Sequence, residues 1–248
     1  MRIFLAGASG VIGRRLVPML VESGHDVHGG TRSERAAGLL RELGATPCVV
    51  DVFDRDALHA ALRAVRPDVV VHQLTDLPPK LDPAHMVEGV ARNARIRAEG
   101  TANLVAAALG AGCGRMVAQS IAWAYAPGGS PRRESDPLDL AADGLRATTI
   151  AGVAALETAV LRTPGLVGAV LRYGRLYGPD TGADEPTDPV CVHVDAAAAA
   201  ARLAVDLGAH GVFNVCEVND QVSPAKAIER LGWSDRMRLA DAPAGSAR

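Results

Sequence analysis

At 248 residues and 48% hydrophobic composition, the chain can bury a large core as one domain, or as one domain with a small lobe. Its formal net charge of −2 leaves no basic footprint for nucleic acid, and no apolar stretch approaches the about 20 residues that a membrane span requires. Cys48, Cys113, Cys191 and Cys216 are far apart and lack metal-ligand spacing, so free thiols in a reducing cytoplasm are expected, with no metal centre.

In chain order, residues 2–6 are a short apolar strand, too short for a secretion signal. They run into Gly7-Ala8-Ser9-Gly10-Val11-Ile12-Gly13 and then a helix beginning Arg14-Arg15-Leu16-Val17. Residues 24–32 read as helix stop, second strand and turn. Helical spacing over 33–43 is closed by Gly44. A third strand spans 46–51, with Pro47 at its start, and a helix follows at 56–62. The unbroken valines of 68–73 suit a parallel strand covered on both faces. A long helix is predicted over 84–110, a fifth strand over 115–120, and a loop over 126–147, rich in Pro, Gly, Asp and Arg. Helix returns at 148–162 and strand at 167–172. The alanine run of 196–205 is a helix, 211–215 a late strand, and 240–248 a frayed tail.

This alternation predicts an α/β fold: a Rossmann-type doubly wound parallel sheet with a small C-terminal substrate lobe. The division falls at 1–165 for the dinucleotide core and 166–248 for the last strands and lobe, interleaved as one compact unit. The strand–turn–helix entry itself carries chemistry. Gly7, Gly10 and Gly13 let the backbone approach a pyrophosphate, and the helix start, with Ser9, Val11 and Ile12, offers N–H groups and a partial positive charge.

Six ordered segments resemble the extended short-chain dehydrogenase/reductase family, the NAD-dependent epimerase/dehydratase group. These are the glycine turn, Asp51-Val52-Phe53-Asp54, Asp68–His72, Gly100-Thr101-Ala102-Asn103-Leu104, Tyr177-Gly178-Pro179 and His193-Val194-Asp195. The resemblance implies that Asp51 and Val52 contact the adenine, and that Gln73, Leu74 and Thr75 lie beside the cofactor at the fourth strand's exit. The second strand ends in Gly29-Gly30-Thr31-Arg32-Ser33 without the carboxylate that accepts from ribose hydroxyls. Arg32 there suits a 2′-phosphate, so NADP is the expected cofactor, with NAD also admissible.

The family's Tyr and Lys, counted back from Glu157, fall on Thr149 and Val153. A valine cannot hold a ribose hydroxyl, and an alcohol is a far weaker acid than a phenol. Candidate catalytic residues are therefore Ser120, Tyr125 and Thr149, with Ser120, Tyr177 and His193 on the substrate. Ser120 is a site residue or a strand-end cap. Tyr125 is a displaced proton donor or, more commonly at such a place, a ring packed under the following loop. Lys80 and His85 sit in the segment after the fourth strand, where a solvated lysine is the commoner case. Arg95 and Arg97 are two apart on the long helix and cannot share one face, so at least one is solvated or at a subunit contact. The resemblance implies an NAD(P)-dependent oxidoreductase acting on a small carbonyl, alcohol or sugar-like substrate, and a homodimer. A cofactor-binding regulator, or a redox-neutral isomerase, lyase or cyclase, is the alternative.

Overall fold

The computed structural model describes residues 1–78 and 82–239. Seven strands form one parallel sheet: β1 (Arg2–Ala6), β2 (Asp26–Thr31), β3 (Thr46–Val49), β4 (Val69–His72), β5 (Arg115–Ile121), β6 (Val167–Tyr173) and β9 (Gly211–Val215), in the order β3-β2-β1-β4-β5-β6-β9. Val69, Val70 and Val71 of β4 are fully buried, as an unbroken apolar strand covered on both faces must be. Helices α1 (Val11–Glu22), α2 (Glu34–Glu42), α3 (Arg55–Val65), α4 (Met86–Arg95), α5 (Thr101–Gly110), α6 (Gly144–Arg162) and α7 (Val194–Asp206) connect the strands. The chain leaves β1 toward β2 on one side and reaches β4 on the other, so a crevice opens at the carboxyl ends of β1 and β4.

Two apolar layers flank the sheet. One joins Leu5, Leu16, Leu20 and Leu171 to the buried alanines of α7; the other joins Phe4, Leu58, Leu62, Leu104 and Met116. The helical stretch expected at 84–110 consists of a 3-10 turn (Pro83–His85), α4, a π-helical turn (Ile96–Gly100) and α5. Helix α6 starts at Gly144 rather than 148, because Arg146 turns inward to Asp139 (2.7 Å) and to the carbonyls of Trp123 and Tyr125. By length and composition α6 is apolar enough to cross a membrane, which composition by stretch did not signal. Its apolar side chains pack against α4, α5 and the sheet.

Three elements escaped the pattern reading: β7 (Arg175–Tyr177) and β8 (Cys191–His193), which pair with each other, and α8 (Ala225–Leu231). Trp233, beyond α8, donates its indole N–H to the Ala196 carbonyl at 2.8 Å and pins the C-terminal segment on α7. Residues 240–248 and Lys80 lie outside the described residues.

Candidate functional site

The glycine turn is built from backbone on backbone. Gly7 has φ +85°, and a Cβ on it would stand 2.7 Å from the carbonyl carbon and oxygen of Gln73. A Cβ on Gly13 would stand 2.2 Å from the Gly7 oxygen. Helix α1 opens on Gly10, which has no side chain to cap the first turn, so those N–H groups are available to an anion. A cleft runs from this turn across the sheet edge. Gly7, Ser9, Gly10, Arg32, Asp51, Val52, Gln73, Leu74 and Thr75 all line it, together with Gly30, Phe53 and Ile96. Val11, Ile12 and Gly13 form the first turn of α1, with Ile12 and Gly13 packed inward.

Thr31 Oγ1 lies 3.5 Å from Ser9 Oγ and accepts from the Ser33 N–H at 3.3 Å, bracing the end of β2 beside exposed Arg32. Asp51, the one carboxylate lining the cleft among the described residues, accepts from the Phe53 N–H at 2.9 Å. In the cleft wall Gln73 donates to Tyr173 Oη at 3.3 Å, while its own Oε1 is buried with no partner among the described residues. An open helix start, a cradle that a methyl group would fill and an orphaned acceptor fit a dinucleotide.

Beneath the cleft, His72 is fully buried. Its Nδ1 accepts from the Leu74 N–H at 3.2 Å, so Nε2 carries the proton and donates to Thr101 Oγ1 at 3.0 Å. Burial, reinforced by the Arg97 charge, pushes its pKa down to about 4. The unfolded state thus takes up a proton below the ordinary value of 6.5 that the native state refuses. Stability from this group is complete above that value and falls as the pH drops toward 4, by up to about 3 kcal/mol. Urea unfolding at pH 7.5 and 4.5 should show a shallower fall for His72→Gln than for the natural chain.

The sheet edge between β5 and β6 holds a buried polar network. Ser120 Oγ donates to Glu157 Oε1 at 2.8 Å, and Arg172 grips both oxygens of the same carboxylate at 2.9 and 2.6 Å. The Arg172 guanidinium also lies 4.8 Å over the Tyr125 ring. The Tyr125 hydroxyl donates to Asn214 Oδ1 at 2.6 Å, and burial pushes that phenol's pKa up. Thr149 Oγ1 donates back to the Leu145 carbonyl of its own helix at 3.1 Å, and Val153 is wholly buried among Ala124 and Ile150. Each of the three candidate hydroxyl donors is therefore bonded within the protein. Sequence reasoning used Glu157 only as a marker and overlooked Arg172 and Asn214. No local pattern joins residues 15 and 37 positions apart into one cluster.

In the β7–β8 pair, Tyr177 and His193 meet edge to face, with ring centroids 5.2 Å apart. Tyr177 donates to Glu217, and burial together with that carboxylate pushes its pKa up to about 12. His193 Nδ1 accepts from the Asp195 N–H at 3.2 Å and caps α7. His85 bonds Asp82 at the surface, away from the cleft lining. Of the two arginines on the long helix, Arg95 is exposed and pairs with Glu99 at 2.7 Å, whereas Arg97 is buried.

Residues 3–216 match the model of the NAD dependent epimerase/dehydratase family. The chain is 42% identical over 234 residues to a 3-diazoavenalumate denitrifying reductase from a Streptomyces species, covering 92% of this chain and 71% of that protein. Its fold is similar to that of UDP-glucose 4-epimerase from Thermotoga maritima, with a TM-score of 0.76, 20% identity, and coverage of 95% and 94% of the two chains. It is similar also to the dTDP-glucose 4,6-dehydratase DesIV from Streptomyces venezuelae, with a TM-score of 0.74, 18% identity, and coverage of 97% and 93%. At those identities the two structures speak for the fold alone.

Proposed function

The chain belongs to the NAD dependent epimerase/dehydratase family, and from that premise we propose that it is an NAD(P)-dependent reductase whose reaction takes no proton from a tyrosine–lysine pair. One observation carries this reading: the glycine cradle is intact, while Ser120, Tyr125 and Thr149 all spend their protons inside the protein. The cofactor, when bound, supplies a hydride. The cradle holds the diphosphate, Gln73 offers an acceptor to the nicotinamide half, and Val153, enclosed in the packing of α6, supplies no polar group there.

Ordinary carbonyl reduction needs a proton on the nascent alkoxide, and this arrangement is poorly equipped to give one. Reductive loss of dinitrogen makes no such demand. An aryl diazonium gains a C–H bond from the hydride, its C–N bond breaks with the pair going to nitrogen, and neutral N2 leaves. The Streptomyces relative is named for a denitrifying reduction of a diazo acid, so small aryl diazo compounds head the substrate list, ahead of carbonyl and sugar-like ones. Turnover is followed at the nicotinamide absorbance with both reduced cofactors against diazonium and carbonyl panels. Tight cofactor binding without turnover on either panel would move the assignment to a regulator or a redox-neutral enzyme.

The proposed cofactor is NADPH. Arg32 is exposed at the cleft and β2 ends in Gly-Gly-Thr, with no carboxylate to repel a 2′-phosphate. Arg32→Ala is expected to cut the preference for NADPH over NADH by about tenfold or more, the worth of a charge-assisted hydrogen bond. Isothermal titration with both cofactors checks it, and an unchanged ratio would remove Arg32 from the assignment. A homodimer through the α4 face that leaves Val87 exposed completes the proposal, with the reducing cytoplasm as the setting for four free thiols. Velocity sedimentation that finds only monomer at micromolar concentration would dismiss the dimer.

A further inference from the structure

Arg97 sits in the π-helical turn between α4 and α5, next to Ile96, which lines the cleft, while Arg97 itself lies behind that lining. It is 7% exposed, and its guanidinium makes no hydrogen bond and no ion pair among the described residues. Its electrostatic neighbours are neutral His72 at the end of β4 and Glu157 on α6. Glu157 is already committed: one oxygen takes Ser120 and Arg172, the other takes Arg172 again. Arg172 also retains a buried Nη1 with no partner. Among the described residues, two guanidinium groups therefore share a single carboxylate in this region, leaving one positive charge uncompensated. A buried cation in that condition is costly, and an anionic ligand is one partner that would complete it. A π turn in the same position is a frequent mark of a functional segment.

We infer that Arg97 is an anion-receiving residue of the substrate site, its guanidinium donating to a carboxylate or phenolate oxygen of a small aromatic substrate. The planar fork suits a carboxylate through two parallel bonds and a phenolate through one. The inference rests on the reductase reading for the identity of the ligand, although the unpaired cation stands independently of it. Asn93, Arg97 and Thr101 succeed one another at four-residue steps and are all buried, so this stripe of the long helix carries polar groups where an apolar core face would be expected.

The test titrates the NADPH-saturated protein with benzoate, with 4-nitrophenolate and with neutral benzamide, by isothermal calorimetry at a pH where both acids are ionised. At least one anion should bind about tenfold or more tightly than benzamide. Arg97→Met should lose that preference while keeping its affinity for NADPH. Arg97→Lys, which keeps the charge without the fork, should keep only part of it, and it carries the test if the methionine variant does not fold. Equal binding of the three probes by the natural chain, or a preference unchanged in the variants, would overturn the inference. Benzoate against 4-nitrophenolate separates the carboxylate source from the phenolate. Anion preference without hydride transfer on any panel would fail the reductase reading and leave this inference standing; hydride transfer without anion preference would do the reverse.

Discussion

Glu157→Ala is expected to lower the unfolding free energy by about 3–5 kcal/mol, the cost of removing one partner from a buried ion pair. The side chains of Arg172 and Glu157 are 4% and 7% exposed, so the charge left behind is removed from bulk water. Arg172 would be left with the Tyr125 ring face as its remaining partner, and Ser120 would lose the acceptor of its hydroxyl. The double variant Glu157→Leu with Arg172→Met should recover much of the loss, because removing both charges leaves none stranded. Urea denaturation of the two single variants and the double gives the coupling directly. A loss below about 1 kcal/mol in Glu157→Ala, the range of an exposed pair, would show that the carboxylate does not hold the β5–β6 edge together.

The second large effect lies in the cradle. Gly7→Ala must place a side chain at φ +85° and at 2.7 Å from the Gln73 carbonyl. The left-handed backbone alone costs about 1–2 kcal/mol for a residue with a Cβ, and the close approach must be relieved by moving β1 away from the exit of β4. That movement displaces the turn from the start of α1, so affinity for the reduced dinucleotide should fall at least about 100-fold, or 2.7 kcal/mol. Gly38→Ala is the control. Its Cβ meets nothing within 4 Å inside α2, so cofactor binding should be unchanged and stability slightly raised. Calorimetric titration of both variants decides it; a Gly7→Ala protein with undiminished affinity would mean that the turn is not the phosphate cradle.

What the amino-acid pattern disclosed and what it hid divide along physical lines. The strand of three buried valines, the glycine turn and the alanine helix were legible because each is a local run with one consistent environment. β7 and β8 have three residues each, too few to express an alternation. The start of α6 was obscured by Gly144 and by Arg146, a charged residue that bonds back to Asp139 and to the Trp123 and Tyr125 carbonyls. The π turn in the long helix shifts side chains by a fraction of a turn, which no hydrophobic periodicity records. In the site, the residues around the cofactor cleft follow from the turn and the strand ends, whereas the Ser120–Glu157–Arg172 cluster depends on β5, β6 and α6 converging. The charge of Arg97 was visible in the sequence, but its burial was not, since only the packing of α6 over the turn removes it from water.

The six alanines from Ala196 to Ala201 are between 0% and 5% exposed, so the first half of α7 is enclosed, with α1, the sheet and the segment carrying Trp233 packed around it. By composition this is the plainest stretch of the chain, yet it is tightly confined. Ala198 is 0% exposed, and enlargements such as Ala198→Val are expected to carry the usual overpacking cost of about 1–3 kcal/mol. Drift among descendants of this chain should therefore be slow where its text is most repetitive, because each of those methyl groups is enclosed by its neighbours.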